Sequence, residues 1–426
     1  MTEPLTGIRV LEMASAIQGP GAALYLRDMG AEVIKVEPPI GDGSRYHRGA
    51  NNSLPPEAMN SQFISMNRGK RSVCVDFHTE QGRSVVMRLL AQCDVFLTNF
   101  RTSALERMGL DFATLHARHP KLIHASVNGF GPLGPDADKA MLDGAAQARG
   151  GIIAMTGPAN GPALPPGAAI ADTAGAMQFA LAVMTALFAR ERTGLGQQVR
   201  SSSLGAQLFL QMWELQHSII TGRSLRRSGA HHANILSPYG VYQTRDGGAF
   251  LFAVAMSDES WQAFCDFAGL PDVAADLHWN TGAKRIGYAG DPGSVDVARA
   301  RMAEGFANKT TQQWSAFLAT QPEIIYERVR DYADVLADPQ NAANDYIVDM
   351  ELPVIGPSKV VGNLIGLSAT PGSVKGPPPA LGEGTGEIMR RLGFGNAEIE
   401  AVIKQANAQR ELAAAAAAAL ATKPGN

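Results

Sequence analysis

The chain has 426 residues, 45% of them hydrophobic, and its 40 acidic and 37 basic side chains leave a formal charge of -3. That length and apolar content suffice for two domains with separate cores, while the balanced charge offers neither a basic field for nucleic acid nor a polybasic stretch for a membrane. Three scattered cysteines, Cys74, Cys93 and Cys265, make no disulfide framework and no metal-ligand pairs, so the expectation is a cytoplasmic protein with free thiols, no metal and a small-molecule partner.

In chain order, MTEPLTGIRVLEMAS begins with acids and an apolar run of strand length, unlike a signal peptide, and no span approaches the roughly 20 apolar residues of a membrane helix. Ile8 to Ala14 predicts a buried strand, GPGAALYLRDMGA a helix, and Glu32 to Glu37 a second strand, together a β-α-β unit. The alternation continues through strands at Ser72 to Phe77, Asp94 to Phe100 and KLIHASVNGF, with helices at GRSVVMRLLAQC and ALERMGL between them. Strands alternating with short helices imply a parallel sheet covered on both faces. A Gly/Pro-rich tract from Gly150 to Gly167 precedes the apolar helix AGAMQFALAVMTALFARERTG, which Gly194 and Gly196 end. Near Arg223 the composition turns polar and basic (RSLRRSGAHHANILSP). Short strands joined by Asp246-Gly247-Gly248 and helices around Trp261 and Trp314 then predict a smaller α/β domain. The segment after Pro339 passes through a Pro/Gly-rich stretch to a helix with an alanine-rich, solvent-side tail. The expected division is 1–222 for a large domain, 223–335 for linker and small domain, and 336–426 for a C-terminal segment.

The N-terminal β-α-β unit invites a nicotinamide-dependent reading, since Gly19-Pro20-Gly21 supplies two glycines of GxGxxG and Glu37 lies where a ribose-binding acid belongs. Leu24 stands in place of the third glycine, and Pro20 removes a backbone N–H that a pyrophosphate would use.

Several motifs, in order along nearly the whole chain, resemble the family III CoA-transferases, the superfamily of formyl-CoA transferase, carnitine CoA-transferase and α-methylacyl-CoA racemase. They are Gly7 to Arg45, NRGKRSVCVDF, TNFRTSALERMGL, PKLIHASVNGFGPLGP, DGAAQARGG, AIADTAGAM, RTGLGQQVRSS, PYGVYQTRDGG and LGEGTGEIMRRLGF. The resemblance implies a Rossmann-like large domain completed by the C-terminal segment, a smaller α/β domain, and two subunits interlocked as a homodimer. It also implies a CoA thioester as substrate, with no permanently bound cofactor, and a small carboxylic acid as the second partner.

By the same resemblance Asp172 is the catalytic carboxylate. A carboxylate can attack a thioester to give a mixed anhydride and CoA thiolate, and the thiolate can then form an aspartyl-CoA thioester. Backbone N–H groups of Ala171, Thr173, Ala174 and Gly175 are candidate oxyanion donors. Read locally, Asp172 is equally a cap for a helix starting at Thr173. The resemblance further implies CoA contacts from Arg45, Lys70, Arg71, Asn99, Phe100, Arg107 and Lys139, where guanidinium and ammonium groups suit phosphates, and a polar contact near the thioester from Gln18. Each of these cations is also, taken singly, an ordinary surface charge.

The racemases place His before the Asp that matches Asp143. Here Leu142 stands there, so a two-group proton relay lacks one arm and racemisation is disfavoured. Asp143 is otherwise a helix cap. The family's acceptors include oxalate, carnitine, aromatic acids and short dicarboxylates. The basic stretch with His231 and His232 points to a small di-acid acceptor and succinyl-CoA as donor, although adjacent histidines in a polar linker are also plain surface residues.

Overall fold

The computed structural model describes residues 2–47, 49, 53–285 and 292–421. Two compact units divide the chain: Met1–Gly150, Ala168–Leu210 and Pro339–Asn426 form the first, Gly151–Gly167 and Gln211–Asp338 the second.

The first unit alternates strand and helix as its sequence predicts: β1 (Arg9–Met13), α1 (Gln18–Asp28), β2 (Glu32–Glu37), α2 (Ser61–Asn67), β3 (Arg71–Cys74), α3 (Glu80–Leu90), β4 (Val95–Thr98), α4 (Thr102–Met108), α5 (Phe112–Arg118), β5 (Ile123–Asn128) and α6 (Asp143–Gly150). After the short α7 (Ile152–Met155), which belongs to the second unit, come α8 (Ile170–Thr193), β6 (Gln198–Ser202) and α9 (Ser203–Leu210). The six strands form one parallel sheet in the order β3-β2-β1-β4-β5-β6. The order reverses between β1 and β4, and in open parallel sheets ligands bind at such a switch point, beyond the C-terminal strand ends.

Side-chain alternation sends the two halves of each strand into two cores. Val10, Val33, Val95 and Leu97 pack on Ala22, Ala23 and Leu26 of α1 and Phe179 and Val183 of α8. Leu11, Ile34, Val73 and Phe96 pack on Val85, Val86 and Leu89 of α3 and on residues from the end of the chain, Ile388, Met389, Ile399 and Val402.

In the second unit, α10 (Met212–Thr221) leads to β7 (Gly240–Gln243), β8 (Ala249–Ala255), α11 (Asp258–Ala268), α12 (Pro271–Ala275), α13 (Pro292–Ala307), α14 (Thr311–Leu318), β9 (Ile324–Arg328) and α15 (Tyr332–Ala337). The antiparallel sheet β7-β8-β9 covers an aromatic core of Tyr242, Phe252, Trp261, Phe264, Phe306 and Trp314. The chain then returns to the first unit through α16 (Pro339–Ala343), the hairpin β10 (Ile347–Leu352) and β11 (Gly356–Val361), α17 (Thr385–Arg391) and α18 (Asn396–Ala421).

Three differences from the sequence reading have physical reasons. The units part at Leu210 and Pro339 where the reading expected 223 and 336, because α9 and α10 follow one another with only Gln211 between them and no glycine, proline or polar linker marks the boundary. Strand β6, QVRSS, went unrecognised because an edge strand need not be apolar; Gln198 and Arg200 are exposed. Helix α8 starts at Ile170, so Asp172 lies inside its first turn. This 24-residue helix is also long and apolar enough to cross a membrane by length and composition, against the expectation that no span comes close; its stripe of Ala176, Phe179, Val183 and Leu187 is buried in the core of the first unit.

Candidate active site

The loop from β1 to α1 enters the switch point under tight restraint. Asn99, just beyond β4, accepts from the Ser15 N–H at 3.0 Å and donates to the Ser15 carbonyl at 2.7 Å. The next residue, Ala16, holds the left-handed φ of 65°, a conformation that non-glycine residues adopt only when their surroundings impose it. Beyond it Gln18 opens α1, and its buried amide donates to the Ser203 hydroxyl. Ser203, the first residue of α9, is fully buried and donates to Asp172 Oδ1 at 3.1 Å. Gly175 makes room for this arrangement: a Cβ there would stand 3.0 Å from Gln18 Nε2. Thus β1, β6 and α8 bring Gln18, Ser203 and Asp172 into one hydrogen-bonded row.

Asp172 does not cap its helix. Ala169, the residue before α8, offers no side-chain cap, and the carboxylate of Asp143 does that work from 29 residues away. Its Oδ1 accepts from the N–H groups of Ala171 at 2.9 Å and Asp172 at 3.0 Å. Asp143 itself begins α6, where Gln147, also buried, donates to its second oxygen. The N–H of Thr173 goes to the Ala169 carbonyl at 3.0 Å. The backbone donors expected for an oxyanion at Ala171 and Thr173 are therefore already engaged. Burial pushes the Asp172 carboxyl up to about 6; the nearby charge of Asp143 pushes the same way, and the Ser203 hydrogen bond opposes them. Ser203 and Gln147 escaped the sequence reading. Ser203 adjoins the RTGLGQQVRSS motif, but a serine beginning a helix carries no signal of its partner.

Three residues expected at the CoA phosphates, Lys70, Arg45 and Arg71, already hold carboxylate partners within the chain. Lys70 is buried and donates to Glu12 Oε2 at 2.7 Å, the Pro20 carbonyl at 2.8 Å and Asn67 at 3.0 Å. Glu12 also holds Lys35, opposite it in the sheet register, at 2.9 Å, and Lys35 donates to the Ala14 carbonyl at 2.6 Å. The two lysines thereby fix both ends of the loop that carries Gln18. Arg45 grips Glu37 through two bonds of 2.7 and 2.8 Å, reaches the Pro379 carbonyl at 3.0 Å and stacks 3.7 Å above the Phe63 ring. Charges this deep persist only when paired, and removing one partner costs about 3–5 kcal/mol. Arg71 starts β3, which puts it toward the N-terminal edge of the parallel sheet, where it pairs with Glu32 and Glu387. Sequence shows the charge of these residues and not the carboxylate that answers it.

The other expected residues stand apart from that network. Phe100 is half-buried against the core beside α3. Arg107 on α4 is exposed, as is Lys139, whose ammonium lies 5.7 Å from the centre of the Phe130 ring. Within the second unit His231 contacts the Tyr239 carbonyl at 3.0 Å, and His232 meets Glu214 at 3.1 Å and stacks on Trp213.

Comparison with known proteins places this geometry. A family model for CoA-transferase family III matches residues 5–385. The succinyl-CoA:glutarate CoA-transferase of Mus musculus is 31% identical over 394 residues, covering 92% of this chain and 86% of that protein. The succinate–glutarate CoA-transferase of Agrobacterium fabrum is 33% identical over 396 residues, covering 91% and 96%. A solved structure, a CAIB/BAIF family protein from Brucella suis, matches with a TM-score of 0.80 at 30% identity, covering 92% of this chain and all of that one. With a family match over most of its length and relatives that share both fold and extent, the chain belongs to CoA-transferase family III and is a CoA-transferase.

Proposed function

We propose that this enzyme moves CoA from succinyl-CoA to a short dicarboxylate, that Asp172 is its nucleophile, and that it works as an interlocked homodimer. The observation that carries the chemistry is a half-buried carboxylate in the first turn of α8, beyond the C-terminal edge of the sheet, with a buried hydroxyl on one oxygen. Partial desolvation makes a carboxylate a better nucleophile, and a value near 6 still leaves it charged at neutral pH. Attack on the thioester gives a mixed anhydride and CoA thiolate. The thiolate converts the anhydride to an aspartyl-CoA thioester and releases succinate, and the acceptor reverses the two steps. Hydrolysis of the anhydride is the competing reaction that the site must keep water from.

The dicarboxylate reading is supported by the names of the mouse and Agrobacterium relatives, which pair succinate with glutarate. For CoA, the exposed cations Arg107 and Lys139 suit the phosphates, and Asn99, Phe100 and Gln18 flank the switch point. The dimer is supported by an apolar row left uncovered on α8 and α9, including Leu181, Phe188 and Phe209, each about two-thirds exposed, a surface that water disfavours.

The test is chromatography of CoA thioesters after mixing the protein with succinyl-CoA and a panel of mono- and dicarboxylates, alongside Asp172→Ala. Glutaryl-CoA or a similar product from wild type alone is the expected result. Turnover confined to aromatic or long apolar acids refutes the acceptor class, and an active Asp172→Ala refutes the nucleophile. Sedimentation equilibrium reads the oligomeric state.

A further inference from the structure

We propose that Ser203 is a catalytic residue: its hydroxyl is the oxyanion donor for the exchange of acyl oxygen and CoA sulfur at the enzyme's own aspartyl carbon. The inference rests on the reading of Asp172 as nucleophile and adds a group to which neither the motifs nor the comparisons give a role.

The row of hydrogen bonds is directional. An amide nitrogen can only donate, so the Ser203 oxygen accepts from Gln18 and turns its single proton toward Asp172 Oδ1. Ser203 is fully buried and Gln18 nearly so, leaving little water to compete for that hydroxyl. Because Oδ1 is occupied, Oδ2 is the attacking oxygen. It bonds to the thioester carbonyl carbon, the C–S bond breaks, and CoA leaves as thiolate with the electron pair. Oδ2 is now the bridging atom of a mixed anhydride, and Oδ1 is the carbonyl oxygen of the aspartyl half.

In the next step the thiolate sulfur bonds to Cγ of Asp172, and the carbonyl electron pair moves onto Oδ1. The Cγ–Oδ2 bond then breaks, and the donor acid departs as a carboxylate carrying Oδ2. No proton or electron is gained or lost. The negative charge of the tetrahedral intermediate sits on the oxygen that Ser203 already faces. When the acceptor carboxylate attacks the same Cγ from the aspartyl-CoA state, charge returns to Oδ1, so one hydroxyl serves both central exchanges. The competing backbone donors are taken: Asp143 holds the N–H groups of Ala171 and Asp172, and the Ala169 carbonyl holds that of Thr173. Gly175 keeps open the space into which the Gln18 amide projects.

The experiment mixes full-length enzyme with succinyl-CoA and no acceptor, and follows two signals: the covalent CoA adduct by intact-protein mass, and liberated CoA thiol by a chromogenic disulfide. Loss of one oxyanion donor is expected to slow adduct formation in Ser203→Ala about a hundredfold. Thiol release, which reports the first attack, falls far less, and KM for succinyl-CoA stays within about twofold of wild type. Ser203→Cys, which keeps the buried volume and is a weaker donor, is expected to behave likewise and guards against a folding defect of the alanine variant. An unchanged rate of adduct formation, or adduct and thiol falling in parallel, overturns the proposal, because a merely structural serine would slow both steps together. Asp172→Ala separates the two readings: it is expected to give neither signal, and an adduct in that variant sinks the assignment of Asp172 and of Ser203 with it.

Discussion

At Asp172 one carboxylate meets two opposed demands. The proposed nucleophilic role calls for an unsolvated anion, whereas stability favours the protonated form, since burial and Asp143 raise this group from its ordinary 3.8 to about 6. Between roughly pH 4 and pH 6 the folded chain therefore holds a proton that the unfolded chain has released. Stability falls as pH rises through that window and stays lower above it, by up to about 3 kcal/mol. Asp172→Asn is expected to abolish transfer while raising the urea midpoint at pH 7.5, with the gain vanishing near pH 4; a gain of equal size at both pH values would show that charge is not its origin. In the active enzyme kcat/KM should decline as pH drops through about 6. At this scale the family was legible in motifs such as AIADTAGAM. It was illegible where folding supplies a partner: nothing in the sequence pairs Arg45 with Glu37 or Lys70 with Glu12.

Among the elements, α8 depends on a carboxylate from α6. Asp143→Asn retains an oxygen that can accept from the N–H groups of Ala171 and Asp172 but removes the charge that helps to raise Asp172. The acid limb of the rate profile should move to lower pH with little change in melting temperature. Asp143→Ala also loses the cap, and a further drop of about 1 kcal/mol is expected in denaturant titrations. If both variants shift neither the profile nor the stability, the coupling between the two helices is not energetic. Periodicity placed β2 to the residue, and Gly194, at φ 73°, marked the end of α8. The start of α8 escaped it because its first turn, IADT, is capped by a residue far away in sequence, and β6 escaped because its side chains face water.

At the scale of the molecule, the end of the chain is part of the first unit's core. Ile388, Met389, Leu392, Phe394, Ile399 and Val402 complete the layer over β1 to β4, while Gln409 and Arg410 reach Asp76 at 2.7 Å and the Pro39 carbonyl at 3.2 Å. A stop after Glu411 should leave melting temperature and activity close to those of the full chain. A stop after Gly384 uncovers six apolar side chains at once and should yield insoluble protein; a soluble, active product would mean that the layer is dispensable. The return of the segment after Pro339 was implied by the family resemblance and not by composition, and the depth of its burial was not legible, since the helix around Ile399 and Val402 carries an ordinary mix of apolar and charged residues. This arrangement also sets a schedule for synthesis. By the time Leu210 has been made, every strand of the parallel sheet exists and α3 can cover part of its second face, yet the residues that complete that cover lie more than 170 positions ahead. At about 5–20 residues per second, the ribosome needs roughly 10–40 s to supply them. Through that interval a nascent sheet waits with one apolar face only partly covered, and the burden of keeping it from other chains falls on whatever holds the growing polypeptide.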